Sequence, residues 1–356
     1  MTPEATLARF REYMVGPTRF MNLLSCFELG IIDALRDNPG MSAAQLGETV
    51  GAKPDAVEQL LQLLVKESFV AYDEDSGAYS LDALAGVTKT DLQRVLAFMD
   101  MIKVVMLRQA FYLTDSVRTG TLVGLNKLYG FEGNLFGAVA EHKDLRESWG
   151  RLTEIETASV YGWFFENIDI PSGARVLDLL GSTGLGAVMT YKLKSSPGLH
   201  VTTFDLPKNE DDCLRNFKAH GVEEHCSFIG GDVFDSVPKG YDVVLIKHFL
   251  DMFDKDEVLK ILKGANEALD AGGQVIILAP VYPENIKDAG DYHVDFFPTF
   301  LLGCAIGHGG PQKLSTYRSW LEECGFEVTK VTAKDPADIP PDAIITRVIL
   351  RATKTA

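Results

Sequence analysis

The sequence has no apolar stretch long enough for a membrane helix. Its longest uncharged runs, such as Phe296 to Ile306, stop well short of the ~18–20 residues that a span requires. Met1 to Arg19 carries no apolar core of the kind that marks a secretory signal, so a cytoplasmic protein is expected. Cysteine is sparse: Cys26, Cys213, Cys226, Cys304 and Cys324 are scattered, odd in number and form no CxxC pair. This excludes a disulfide framework and a cysteine zinc site and points to reduced thiols. Basic residues are also in deficit, 34 against 50 acidic ones, for a formal charge of −16. With no local basic patch, neither nucleic acid nor an anionic membrane is an expected partner. What remains is 46% apolar and 24% charged, an ordinary globular composition, in a 356-residue chain long enough for two domains.

The first 100 residues carry a helical period, with Phe20, Leu23, Leu24, Phe27, Ile31, Ile32 and Leu35 at three- and four-residue spacing. Ser42 is placed to cap a short helix, and Pro54 opens a further amphipathic one. Val70-Ala-Tyr and Ala78-Tyr-Ser flank an acidic turn and predict a hairpin. Helices followed by a hairpin outline a winged helix. Because its recognition segment has no arginine and its tip is acidic, dimerisation or substrate enclosure is expected rather than DNA binding. Residues 101–165 read as bridging helices rich in aromatics. From Ala174 onward short apolar runs alternate with helices at 184–194, 209–220, 255–270 and 313–324, which predicts an α/β domain over 166–356 with a parallel sheet. Ligands of such sheets bind at the carboxyl ends of the strands.

The first of those ends reads Asp178-Leu-Leu-Gly181-Ser-Thr-Gly184-Leu-Gly186. The glycines let the backbone turn sharply and approach a ligand. Asp205 follows at the second strand end, placed to accept ribose hydroxyls, and Asp232 at the third, placed for an adenine amine. Asp178 and the unusual glycine spacing favour a cationic sulfonium over a pyrophosphate. These residues, with Phe204-Asp-Leu-Pro, Gly231-Asp-Val-Phe, Val243-Val-Leu-Ile-Lys-His and Trp320-Leu-Glu-Glu-Cys-Gly-Phe, resemble the small-molecule methyltransferases of the plant and bacterial O-methyltransferase type, which use S-adenosyl-L-methionine (SAM) and release S-adenosyl-L-homocysteine (SAH). The resemblance covers nearly the whole chain. It implies a Rossmann-like SAM-binding catalytic domain, an all-helical, winged-helix N-terminal dimerisation domain and a homodimer. By the family's pattern Gly181 contacts the methionine part of SAM, Asp205 and Leu206 the ribose, and Asp232 and Val233 the adenine, while Lys247 lines the cleft. Leu180 and Ser182 stand where glycines are usual, so a locally altered turn is expected.

The family's proton-removing set departs from the pattern. The histidine base expected four residues after Lys247 is Asp251, and the two glutamates that steady it are replaced by Ala279 and Gln312. An acceptor that needs no base is then favoured, because a thioether sulfur has a lone pair and no proton to lose. The resemblance points to S-methylation of 4-methylthio-2-hydroxybutyrate, on the route to dimethylsulfoniopropionate. Its carboxylate needs a cationic anchor, for which Arg19, Arg108, Arg146 and Arg151 are candidates. An O-, N- or C-methyltransferase of aromatic or polyketide metabolism stays open, with Asp251 or His308 as base, as does an enzyme that holds SAM without methylating. The family's layout puts Trp149, Phe296, Phe300 and Cys304 around the acceptor. His248 reads as a packing residue, and nothing in the spacing of His293, His308 and Asp251 specifies a metal.

Overall fold

The computed structural model describes residues 2–288, 294–339, 341 and 343–355, with the side chains of residues 158 and 159 set aside. The chain divides into two compact units, Met1–Asp100 and Met101–Ala356. In the first, the helical period is carried by two helices, α1 (Pro3–Glu28) and α2 (Ile31–Asp37), because Gly30 adopts a left-handed φ of 80° between them. Ser42 caps α3 (Ala43–Val50) through a reciprocal capping box with Gln45, and Pro54 begins α4 (Pro54–Lys66). Strand β1 (Met41–Ser42) pairs with the hairpin of β2 (Val70–Asp73) and β3 (Ala78–Leu81). The hairpin turn is held by Asp73, whose carboxylate accepts from the amides of Asp75 and Ser76. Leu35, Leu46, Leu61 and Leu64 are completely buried between these elements.

The second unit begins with helical segments that lead into α5 (Lys143–Glu166). It then forms a sheet from β4 (Arg175–Leu179), β5 (His200–Asp205), β6 (Cys226–Gly230), β7 (Tyr241–Lys247) and β8 (Leu269–Tyr282), with short β9 (Gln312–Lys313), β10 (Phe326–Ala333) and β11 (Arg347–Lys354). The order is β10-β11-β8-β7-β4-β5-β6, with β9 beside β8. The core strands β4 to β8 are parallel as expected, but the sheet is mixed. The C-terminal strands β10 and β11, unforeseen in the sequence, are antiparallel.

Helices α6 (Leu185–Lys194), α7 (Glu210–His220), α8 (Lys255–Ala268) and α9 (Leu314–Glu323) cover the two faces. Alternate residues of β7 show why both faces had to be apolar. Val243 and Leu245 join the cluster with Phe164, Phe165, Val188 and Phe217, while Val244 and Ile246 join that with Ile261, Leu262, Tyr317 and Leu321. Full burial of each such side chain contributes about 1.5–3 kcal/mol. The chain runs outward from β4 through β5 and β6, then restarts at β7 on the other side of β4. The crevice at the ends of β4 and β7 is therefore the topological switch point, the place where such sheets bind ligands. Among the described residues no helix is long and apolar enough to cross a membrane.

Candidate active site

The β4 end is built around a buried ion pair. Asp178 accepts from the ammonium of Lys247 on the adjacent strand β7, and neither side chain reaches solvent to any useful extent. Asp178, expected at the cofactor, lies buried beneath the turn, where one of its oxygens orients Lys247 and the other has no partner among the described residues. The same pair explains the glycines. A Cβ at Gly186 would lie 2.6 Å from Asp178 Oδ2 and 2.7 Å from Lys247 Nζ, and one at Gly181 would lie 2.7 Å from Asp178 Oδ2. Gly184, at φ 75°, backs onto Cys213 and Phe217. These three glycines thus make room for protein atoms, in addition to freeing the loop. Two further left-handed positions of the turn fall on Leu180 and Ser182, both at φ 51°, where the resemblance leads one to expect glycine. Side chains there cost about 1–2 kcal/mol each.

Ser182 is held in that conformation by its amide, which donates to Asp205 Oδ2 at 2.7 Å. The other oxygen of Asp205 accepts from Leu206 N and Asn209 Nδ2, each at 2.7 Å. Asp205 is thereby fixed at the strand end with acceptor lone pairs to spare, since a carboxylate offers about four. Leu206 is exposed beside it. One strand over, Asp232 is exposed and caps the amide of Phe234 at 2.9 Å, with Val233 buried behind. The donor set therefore fits an adenosyl group: a carboxylate for a diol, another at the next strand, and apolar Leu206 and Phe234 for the faces of a base.

The β7 end continues into a short helical turn, Leu250–Met252, that carries Asp251. Its carboxyl is buried and Oδ1 has no hydrogen-bond partner among the described residues. Desolvation raises its pKa from 3.8 to about 6, with the charge of Arg347 pulling the other way. Arg347, at the start of β11, was not foreseen as a site residue. Its signal was an arginine opening an otherwise apolar strand, which alone does not distinguish a site from an edge. It is almost buried, donates to Glu156 of α5 at 3.0 Å, and donates through Nε to His248 Nδ1 at 3.4 Å. His248 has a left-handed φ of 59°. Since arginine can only donate, Nδ1 must carry the lone pair and the proton sits on Nε2. Burial, together with the charges of Arg347 and Lys247, pushes the pKa of His248 well below the usual value.

The expected acceptor walls do meet. Trp149 stacks on Phe300 with ring centroids 5.8 Å apart, Phe300 stacks on Phe296 at 5.0 Å, and Phe136 meets Trp149 edge-on. Cys304 is a core thiol instead of a wall: burial raises its pKa to about 12, and it donates weakly to the carbonyls of Met106 and Thr299. His308 is exposed and lines a cavity of about 640 Å³ with Thr121, Asn126, Phe131 and Glu132, a set that does not include Asp251. The loop beyond it packs on the backbone of Asp251 instead, where Gly310 N donates to the Asp251 carbonyl at 2.8 Å. Gln312 ties that loop down through the Gly310 carbonyl.

The arginines proposed as a carboxylate anchor are otherwise engaged. Arg19 pairs with Glu67 at 2.5 Å, Arg108 with Asp144 and Tyr129, and Arg146 with the Ala140 carbonyl. Arg151 is exposed, two residues past Trp149 and so about 200° around the helix. His293 lies outside the described residues. Among those described, no cluster of acids, histidines and cysteines could hold a metal.

Residues 111–327 match the model of the O-methyltransferase domain, and residues 12–90 match that of the O-methyltransferase dimerisation domain. The chain belongs to the O-methyltransferase family. It is a SAM-dependent methyltransferase, and SAM is its cofactor. Among this family's curated members it is 27% identical over 339 residues to a 3-amino-4-hydroxybenzoate 4-O-methyltransferase of Streptomyces cremeus, covering 93% of this chain and 88% of that one. It is 24% identical to an L-tyrosine C(3)-methyltransferase of Streptomyces lavendulae, over 88% and 85% of the two chains. The crystal structure of the SAM-dependent methyltransferase SibL in its apo form shares the fold, with a TM-score of 0.77 at 20% identity over 98% of this chain and all of that one.

Proposed function

We propose that this methyltransferase acts on a small aromatic acceptor and that Asp251 takes the acceptor's proton. The observation that carries this reading is a desolvated carboxyl with an unpartnered oxygen, titrating at about 6, in the position from which the family removes a proton. A base is most useful when its pKa lies near the working pH, and Asp251 comes within about a unit of that. The stacked Trp149, Phe300 and Phe296 suit a planar acceptor, and relatives are named for methylating aromatic rings at oxygen or carbon.

Each residue has a separate task in this reading. SAM, when bound, supplies an electrophilic methyl on a sulfonium. Asp205 and Leu206 hold the ribose, Asp232 and Val233 the adenine, and Gly181, Gly184 and Lys247 shape the methionine end. The aromatic stack orients the acceptor so that its nucleophile lies in line, and Asp251 receives the proton. The thioether alternative is weaker, because three of its candidate carboxylate anchors are held by other partners and the fourth, Arg151, is exposed on α5 away from Trp149.

The enzyme is a homodimer through its first unit, where α1 exposes Leu7, Phe10, Tyr13 and Met14 along one stripe. The decisive experiment is a SAM-consumption screen over phenols, aromatic amines and thioethers. An aromatic hydroxyl turned over with a pH–rate profile rising through about 6, lost in Asp251→Asn, supports the proposal. Turnover of 4-methylthio-2-hydroxybutyrate with a flat pH profile overturns it.

A further inference from the structure

Among the described residues, the two buried cations at the ends of β7 and β11 are each paired with a carboxylate, and Asp251 has no ion-pair partner. Lys247 of β7 is matched by Asp178 of β4, and Arg347 of β11 by Glu156 of α5. His248 contributes no charge, because accepting from Arg347 keeps it neutral. Tyr282 of β8 and Tyr317 of α9 are the other titratable groups that feel the charge of Asp251, and Tyr161 of α5 feels those of Asp178 and Arg347; burial holds all three above their ordinary range as neutral phenols. From the loop packed on its backbone, His308 is turned to the exposed cavity. With both ion pairs formed, the cluster is electrically balanced only while Asp251 is protonated, and ionising it leaves one buried negative charge without a partner. A buried charge in that state is costly, and the cost falls when a cation arrives nearby.

We propose that Asp251 is the counter-charge of the cofactor's sulfonium, giving up a proton when SAM binds and regaining one as the methyl is transferred. This rests on the reading of Asp251 as proton acceptor and adds how the base is switched on. The balance closes at every stage. Before transfer the carboxylate answers the sulfonium cation. In transfer the acceptor's O–H proton goes to Asp251, the new O–CH3 bond forms, and the S–CH3 electron pair stays on sulfur. Carboxylate and sulfonium disappear together, leaving a neutral acid and a neutral thioether. Arrival of the methyl donor thus raises the fraction of Asp251 that is ionised and ready to accept a proton.

The test needs no acceptor. Titration calorimetry of the full-length protein with SAM and with SAH, near pH 6 in buffers of different ionisation enthalpy, counts protons exchanged on binding. The two ligands share amine and carboxylate, so the difference between them isolates the sulfonium. Release of a substantial fraction of a proton with SAM, and much less with SAH, is expected. The affinity ratio of SAM to SAH should also rise about three- to tenfold between pH 5 and pH 7, which corresponds to a shift of half to one pH unit in the linked group. Asp251→Asn should abolish both effects and Asp251→Glu should retain them. Equal proton release by the two ligands, or a difference that survives in Asp251→Asn, overturns the proposal. A linkage that holds while the pH–rate profile is flat would instead overturn the base role and leave the counter-charge standing.

Discussion

The two ends of the switch point handle charge in opposite ways. At the ends of β4 and β5, which keep most of the family's residues, Asp178 has Lys247, and both oxygens of Asp205 have backbone or amide donors. At the end of β7, where the resemblance leads one to expect a histidine and two supporting glutamates, Asp251 is buried with no ion-pair partner among the described residues. Carboxylates held by a counter-charge or by several donors keep a shape, whereas a desolvated one with no ion-pair partner stores free energy that a ligand can release. The cofactor side therefore reads as a preformed cradle and the acceptor side as the part tuned for chemistry.

Asp251→Asn breaks the contrast most sharply. With its acceptor the variant should lose about 10²- to 10⁴-fold in kcat/KM, the range for removing a positioned base, while its affinity for SAH stays within about threefold. Its stability should move the other way. A folded-state pKa raised from 3.8 to about 6 favours the native state only below about pH 4, and that advantage is lost as pH rises through about 6. At pH 7 the variant should accordingly be more stable than the parent by up to about 3 kcal/mol, with no difference at pH 3, as denaturant melts at the two pH values will show.

Lys247→Met tests the preformed side. Leaving Asp178 buried without its partner should cost about 3–5 kcal/mol in a thermal or urea melt, and Asp178→Asn combined with it should recover part of the loss. Asp205→Ala should weaken SAM about 10- to 100-fold by calorimetry, in keeping with about 1.5–3 kcal/mol for hydrogen bonds to a charged group. The smallest effect is expected from Ser182→Gly, which relieves a left-handed φ and should raise stability by about 1 kcal/mol, or a few degrees in Tm.

Much of this was legible from the chain. The capping box at Ser42, the helix starts at Pro54 and near Leu185, and the strands ending in Asp178, Asp205 and Lys247 follow from local signals: a side chain that caps, an imino acid at the first turn, apolar runs bounded by acids and glycine. The meeting of Trp149 with Phe300 and Phe296 was anticipated from the family's layout. The antiparallel pair β10 and β11 was missed, because two strands far along the chain, one of mixed polarity and one with a short apolar run, carry no signal of where they dock. Arg347 was missed for the same reason, and Arg19, Arg108 and Arg146 were overvalued because their acidic or carbonyl partners are set by packing.

Sequence alone determined the order of elements, the two apolar faces of the sheet and the acids at its strand ends, since these depend on period and on residue type at short range. Only the tertiary structure decided which charges cancel. Whether Asp178 faces a ligand or a lysine, whether His248 is cationic or neutral, and whether Asp251 stands alone depend on side chains from β4, β7, β11 and α5 converging in a region of low dielectric, where a few ångströms set the sign and size of every interaction.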